Sequence, residues 1–199
     1  ILHQSGLGAL FLMAKPKIHP LWWSQFIPIL FFVSSIYAGL SMIILEGTIS
    51  HRVFKKLIGP GHQRSFEDMV FSLAKGAAIT MFVYYFFKAL LFIHDKQWAL
   101  LNDGWGYWFL LEVIGFVLVP ALMYAFGFKH RSLRIIKTAS LMALIGILLN
   151  RLNVSVIAFN WYVVPHYFPT WQEFVVALTV ILAEIWVLRW FITRMPVFD

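Results

Sequence analysis

Five long apolar runs divide the chain, and short polar stretches separate them. Each run is about 22 to 25 residues long, which is the length of an α-helix that crosses a bilayer with some tilt. The runs are continuously apolar and lack the alternation of membrane strands, so the pattern predicts helices. The predicted spans are 26–50, 69–93, 106–128, 138–160 and 173–195.

A shorter apolar run opens the chain, from Ile1 to Met13. It falls short of the roughly 20 residues that a spanning helix needs. Because it begins at full hydrophobicity, without a cap or a basic flank, it is typical of the second half of a membrane helix. We expect residues 1–199 to form a single transmembrane domain and to be the C-terminal part of a longer membrane subunit. The predicted fold class is all-α, a polytopic bundle with five complete helices and one partial helix.

The composition also indicates an integral membrane protein, with 61% hydrophobic and only 13% charged residues. A soluble domain is nearer half apolar and a quarter charged. The chain has no cysteine, which excludes disulfides, thiolate-bound zinc and cysteine-bound iron–sulfur clusters within it. The net charge of +7 lies mostly in short loops, so it indicates membrane topology and no nucleic-acid partner.

The basic residues alternate between successive connections. The second and fourth connections and the tail hold nine lysines and arginines, whereas the first, third and fifth connections hold three. The positive-inside rule therefore predicts that the C-terminus and the two basic connections are cytoplasmic. Tryptophans and tyrosines, Trp22 among them, gather at the opposite ends of the spans, where they are expected to form an interfacial belt.

Three polar residues, His3, Gln4 and Ser5, stand side by side in the opening run. By helical rise, His3 lies about 18 Å from Lys15, which places it near mid-membrane. A titratable side chain at that depth indicates a function. A histidine can donate a hydrogen bond to a quinone carbonyl and pass a proton to it. The alternative is a histidine that only bonds a carbonyl of a neighbouring helix.

Charged and amide side chains also lie well inside the later spans. Arg151 and Glu184 lie at similar depths on consecutive helices, so we expect an ion pair between them. Such a pair either only fixes helix packing, or belongs to a proton path or to the polar wall of a quinone cavity. Asn150 and Asn153 extend either arrangement, and Glu112 is a third buried charge.

Two lysines and one proline in the spans have simpler interpretations. Lys75 and Lys88 lie near opposite ends of one predicted helix, and both are expected to extend their ammonium groups to the interfaces. Pro120 lies inside the third complete run, where it is expected to kink the helix and free a carbonyl.

The positions of the histidines bear on haem binding. A membrane cytochrome b commonly holds its haem between two histidines that lie deep on facing helices. In this chain His3 alone is deep. The others lie in loops or at helix ends: His19, His51, His62, His94, His130 and His166. The sequence therefore predicts that this chain binds no haem.

Several stretches resemble the C-terminal half of HybB-type subunits, the NrfD/PsrC-like membrane proteins of hydrogenases and related respiratory complexes. They are HQSGLGALFLMAKPKIHPLW, the helix end IILEG (Ile43 to Gly47), the segment around Glu112, RLNVSVIAFN and YFPTWQE. The resemblance covers essentially the whole chain. One departure is Gly6, where the family usually has a second serine after HQS.

The resemblance implies a helical subunit without haem or other cofactors of its own, which binds menaquinone or ubiquinone in a bacterial or archaeal cytoplasmic membrane. An iron–sulfur ferredoxin-like partner would pass electrons between this quinone and a hydrogenase, another catalytic subunit or a multihaem cytochrome. We take eight residues as quinone-binding or proton-transfer candidates, and no catalytic or metal-binding residue. They are His3, Gln4, Ser5, Glu112, Asn150, Arg151, Asn153 and Glu184.

The functional hypothesis is therefore a quinone-reactive membrane anchor of a respiratory oxidoreductase, not catalytic alone, with proton movement as an open further function. Two alternatives remain. A secondary transporter would have interrupted helices at matching positions of a repeat, and Pro120 has no evident counterpart. A purely structural anchor would use its buried charges only to pack helices.

Overall fold

The computed structural model describes residues 2–53, 60–162 and 170–194. Within these ranges the structure has seven α-helices and three segments of other helix types. The α-helices are α1 (Leu2–Leu12), α2 (Ile27–Val53), α3 (Pro60–His94), α4 (Gly104–Leu110), α5 (Val119–Lys129), α6 (Leu133–Leu152) and α7 (Trp171–Arg194). The other segments are a 3₁₀-helix (Gln97–Asn102), a first π segment (Leu111–Leu118) and a second π segment (Asn153–Ile157).

Two compact units make up the chain, one ending at Tyr162 and the other beginning at Val163. The first contains α1 to α6, and the second contains α7. Whether the chain is one transmembrane domain with the predicted helix boundaries stays a prediction.

The predicted all-α fold class is confirmed. Among the described residues, five helices are long and apolar enough to cross a membrane, and no β-strand is present beyond an isolated bridge between Ile18 and Phe159. The spans are Ile27–His51, Phe66–His94, Gly104–Lys129, Leu133–Ile157 and Trp171–Phe191. The helix α3 begins at Pro60, ahead of its apolar run. A proline is well tolerated in the first turn of a helix. The prediction began later because the hydrophobic pattern identifies only the part of a helix that is suited to lipid.

Pro120 is accommodated by a change of helix type. A proline has no N–H to donate to the carbonyl four residues before it, here that of Phe116. The preceding turns adopt π geometry, and the N–H of Val119 donates to the carbonyl of Ile114, five residues back. Gly146 of α6 lies against the Phe116 carbonyl so closely that an added Cβ would be 2.7 Å from its oxygen.

The first unit is a bundle around a continuous apolar core. The helix α2 packs against α1, α3 and α6, and α5 packs against α3 and α6. The core between them includes Ile44, Met81 and Tyr124, and the Tyr124 hydroxyl lies 2.8 Å from Ser41 Oγ.

A second apolar cluster, which includes Trp22, Phe109 and Val154, closes one end of the bundle. There the connection between α1 and α2 folds over the helix ends, since the N–H of His19 donates to the carbonyl of Ala158 at 2.9 Å. The candidate site lies directly beneath this connection.

Candidate functional site

A buried carboxylate, that of Glu112, is the centre of the site. Glu112 is the second residue of the first π segment, and only 1% of its surface is exposed. Its Oε1 lies 3.1 Å from Nζ of Lys88 on α3, and Lys88 is 7% exposed. Because an isolated buried charge is costly, the two residues stabilise each other as an ion pair with nearly no net charge.

Three further donors complete the shell of Glu112. Asn150 Nδ2 donates to Oε1 at 2.7 Å, and Trp22 Nε1 donates to Oε2 at 2.7 Å. Asn153 Nδ2 also donates to Oε2. A carboxylate offers about four acceptor positions, so with Lys88 its hydrogen-bonding capacity is filled. We name this set the Glu112 network: Trp22, Lys88, Glu112, Asn150 and Asn153.

The fold brings these residues together at one end of the bundle. Lys88 lies six residues before the end of α3 at His94, and Glu112 lies eight residues after the start of α4 at Gly104. Asn153 is the first residue of the second π segment. Two π segments therefore border the network, and such segments are frequent at functional sites because they change which side chains face inward.

Arg151 extends the network to α2. One of its guanidinium nitrogens lies 2.7 Å from Ser34 Oγ, and another lies 3.4 Å from Asn150 Oδ1. The guanidinium also lies 3.5 Å from the centroid of the Phe31 ring, which is a cation–π contact. The Asn150 side chain thus touches both the carboxylate and the arginine.

Above the network, a histidine is enclosed by tryptophans. The His19 ring stacks on Trp105 at 5.3 Å between centroids and contacts Trp22 and Trp161 edge-on at 5.6 and 4.8 Å. Burial lowers the pKa of His19 below its ordinary value of 6.5, and the negative charge of Asp103 opposes this effect. Its Nδ1 lies 3.3 Å from the N–H of Leu21, an acceptor position that requires Nδ1 to be unprotonated.

Two cavities meet Lys88. One, of about 20 Å³, is large enough for a single water molecule and is lined by Trp22, Lys88 and the polar residues Ser24, Asp95 and Gln97. The other, of about 200 Å³, is a half-open apolar groove between α3 and the α4–first π segment helix. Lys88 therefore contacts the buried carboxylate and also lines both a small, partly polar cavity and an apolar groove.

Chemically, the network resists simple protonation of Glu112. All its neighbours are donors, so a protonated carboxyl would present an O–H group to another donor and lose at least one hydrogen bond. Proton transfer in this site therefore requires that Lys88 or an amide moves. Lys88 is the group placed to do so, because it lines both cavities.

Three predicted candidates, Glu112, Asn150 and Asn153, meet in one network, although their roles stay predictions. The interpretations of Lys88 and Trp22 need correction. Lys88 does not extend its ammonium group to the interface but pairs with Glu112, and Trp22 is 4% exposed because its indole donates to the same carboxylate. The sequence signal available for Lys88 was that it and Glu112 lie at similar depths in their predicted helices. No comparable signal in the sequence marked Trp22.

Arg151 touches the network through Asn150, and four candidates remain. His3 is exposed on α1, and Gln4 and Ser5 are half-buried. The Gln4 Oε1 atom is buried and has no hydrogen-bond partner among the described residues. Glu184 lies on α7 in the second unit, so its ion pair with Arg151 stays a prediction.

The family assignment comes from comparison with known proteins. Residues 4–161 match the family model described as polysulphide reductase, NrfD. The chain belongs to this family. This NrfD-family chain is a multi-pass membrane protein, in agreement with the resemblance drawn from the sequence. No solved structure gives a significant match to it.

Two curated relatives are similar over nearly the whole chain. A protein of Nitratidesulfovibrio vulgaris is 40% identical over 198 residues, which cover 98% of this chain and 51% of the relative. The probable Ni/Fe-hydrogenase 2 b-type cytochrome subunit of Escherichia coli is 27% identical over 185 residues, which cover 92% of this chain and 46% of the relative. The chain spans about half the length of the curated relatives it matches.

The second relative contradicts the prediction that haem is absent. Its name is that of a b-type cytochrome subunit, which points to haem. The prediction was wrong because it counted histidines in this chain alone, whereas the relative is about twice as long and axial ligands can come from any of its helices. Among the described residues, the histidines within spans are at their ends, where His51 stacks on Phe66 and His94 contacts Asp95.

Proposed function

We propose that this NrfD-family chain is part of a quinone-reactive membrane subunit of a respiratory oxidoreductase. The subunit exchanges electrons between an iron–sulfur partner and the membrane quinone pool. The observation that carries the proposal is the Lys88–Glu112 ion pair, buried beside an apolar groove in a chain of this family. A hydrogenase as the catalytic partner is supported by the name of the Escherichia coli relative.

In this proposal the chain supplies protons and the partner supplies electrons. Reduction of a quinone to a quinol takes up two electrons and two protons. The electrons come from the iron–sulfur cluster of the partner, and the protons come from the aqueous phase. The small polar cavity at Asp95 and Gln97 leads to Lys88, which holds a proton next to Glu112. Proton movement across the membrane is an extension of the same proposal.

The orientation and the haem content are also proposals. The distribution of basic residues supports a cytoplasmic C-terminus in a bacterial or archaeal cytoplasmic membrane. The name of the Escherichia coli relative supports haem in the complete subunit. A reduced-minus-oxidised absorbance spectrum of the purified complex tests for b-type haem.

The functional experiment measures electron flow in native membranes that contain the complete complex. The rate of reduction of a soluble quinone analogue is compared with the rate of reduction of a viologen dye, which accepts electrons directly from the catalytic subunit. The variants are His3→Ala and the double variant Lys88→Met with Glu112→Gln. We expect quinone reduction to fall in at least one variant while the dye rate stays unchanged.

The amount of assembled complex is the control, measured by immunoblot of the partner subunit. A fall in quinone reduction at equal assembly supports the proposal. Full quinone reduction in both variants would overturn it, because a purely structural anchor keeps turnover when its polar groups are replaced without loss of assembly.

A further inference from the structure

The groove beside Lys88 is lined mainly by aromatic and aliphatic side chains. Its volume is about 200 Å³, and its walls carry Phe92, Trp98 and Phe109. Phe92 and Phe109 are near-parallel, with 25° between their planes and 6.0 Å between centroids, and Trp98 meets Phe92 edge-on at 4.8 Å. Aromatic walls of this kind favour stacked and edge-on contacts with another ring.

Among the described residues, Lys88 is the one charged residue that lines the groove. The ammonium lies 5.2 Å from the Phe109 ring centroid. The ammonium has three N–H bonds, and among the described residues Glu112 accepts a hydrogen bond from it, which leaves donor capacity for a ligand. Binding pockets typically combine apolar walls with a few such placed polar groups.

The charge of the site selects among ligands. Glu112 already compensates Lys88, so an anionic headgroup would enter a nearly neutral pocket and lose its hydration without a free countercharge. A hydrocarbon chain would leave the remaining N–H without an acceptor. A neutral molecule with a carbonyl oxygen on a flat ring satisfies the N–H and also packs against the aromatic side chains of the groove.

The groove also has an opening suited to a long apolar tail. Ile93 and Ile114 line it and are 54% and 45% exposed. Both lie in helices that are long and apolar enough to cross a membrane. A tail attached to the ring would therefore continue along the exposed apolar surface of these two helices.

We propose that this groove binds the ring of a neutral quinone-class lipid, with one ring carbonyl accepting a hydrogen bond from Lys88. The inference rests on the proposed function and names the place of its substrate. It assigns the ring site to α3 and the α4–first π segment helix, apart from the His3 turn on α1.

The test is photoaffinity labelling of the complete complex in native membranes with an azido-benzoquinone that carries an isoprenoid tail. Labelled peptides are identified by mass spectrometry. We expect label on 85–93 or 109–114, and competition by excess unlabelled quinone. The variant Ala89→Phe fills the groove from α3 and should reduce labelling by about tenfold or more, equivalent to about 1.4 kcal/mol.

The matched control is Val83→Phe, which adds a ring to an exposed position of α3 outside the groove and should leave labelling unchanged. If Ala89→Phe lowers the amount of assembled complex, Leu110→Phe narrows the groove from the opposite wall. A phospholipid with a photoreactive acyl chain is the second probe, and it should label these peptides weakly.

Three results would overturn the inference: label only outside these peptides, unchanged labelling in a well-assembled groove variant, or strong phospholipid labelling that quinone does not displace. The electron-flow assay separates this inference from the proposed function. Quinone turnover without label in the groove refutes only the inference that the groove binds the quinone ring. Label in the groove without quinone turnover supports the groove and refutes the function.

Discussion

Removal of Lys88 gives the sharpest test of the Glu112 network. In Lys88→Met the carboxylate keeps three hydrogen-bond donors but loses its countercharge. Breaking one side of a buried ion pair costs about 3–5 kcal/mol. For a cooperative unit of about 200 residues each kcal/mol lowers Tm by about 2–4 °C, so we expect the transition of this subunit within the complex to decrease by roughly 6–20 °C.

The second half of the pair is removed in Glu112→Gln, and the double variant completes a mutant cycle. The introduced amide would turn its NH₂ group toward two donors and leave Lys88 without a countercharge, so this variant should also be strongly destabilised. In the double variant no unpaired charge remains. Its Tm decrease should be smaller than the sum of the two single decreases, with a coupling energy of about 0.5–3 kcal/mol.

The measurement is the thermal transition of the detergent-purified complex, followed by tryptophan fluorescence. Lys75→Met is the matched control, because Lys75 is an exposed lysine on the same helix, and its replacement should change stability by less than about 0.5 kcal/mol. Equal Tm decreases in Lys88→Met and Lys75→Met, or strict additivity in the cycle, would refute the buried ion pair.

Three further predictions concern the surroundings of the network, and each is measured as the Tm of the purified complex. Trp22→Phe removes the indole donor to Glu112 and should cost about 1.5–3 kcal/mol, and an unchanged Tm would contradict that hydrogen bond. Burial lowers the pKa of His19 below 6.5, so at mildly acidic pH the unfolded chain binds more protons than the folded chain. The free energy of unfolding should therefore decrease as the pH is lowered from about 7.5 to about 5.5. This part of the pH dependence should vanish in His19→Asn, and its persistence there would assign it to other groups. Gly146→Ala should cost about 1–3 kcal/mol because its Cβ meets a backbone oxygen, whereas Gly115→Ala, with open space around it, should have little effect, and equal effects would argue against the close helix contact.

The spans were predictable because membrane helices are long and continuously apolar, and this signal needs no knowledge of tertiary contacts. Glu112, Asn150 and Asn153 were also predictable, because each is a polar residue within an apolar run. Such a residue is costly in lipid unless it has a partner. Which partner each one finds depends on how the helices rotate, and hydrophobicity does not fix this rotation.

Lys88 is the residue whose partner the hydrophobic pattern did not reveal. Its position near a helix end fitted an ammonium group that reaches the interface, yet Glu112 lies at a similar depth on a helix that packs nearby. Similar depth, which predicts a pair between Arg151 and Glu184, also suggests a pair between Lys88 and Glu112. Trp22 could not be found in this way, because its connection has no helical register from which to compute a depth.

The first π segment also affects how sequences of this family should be compared. Each residue of an α-helix advances about 100° around the axis. Deleting one residue between Leu111 and Leu118 would restore regular spacing and rotate the preceding turns by that angle, which would carry Glu112 away from Lys88 while Tyr124 stays beside Ser41. In a relative with a one-residue gap at this place in an alignment, a residue other than the one aligned with Glu112 would therefore face Lys88. Two chains of nearly equal length would then differ in the chemistry of the site.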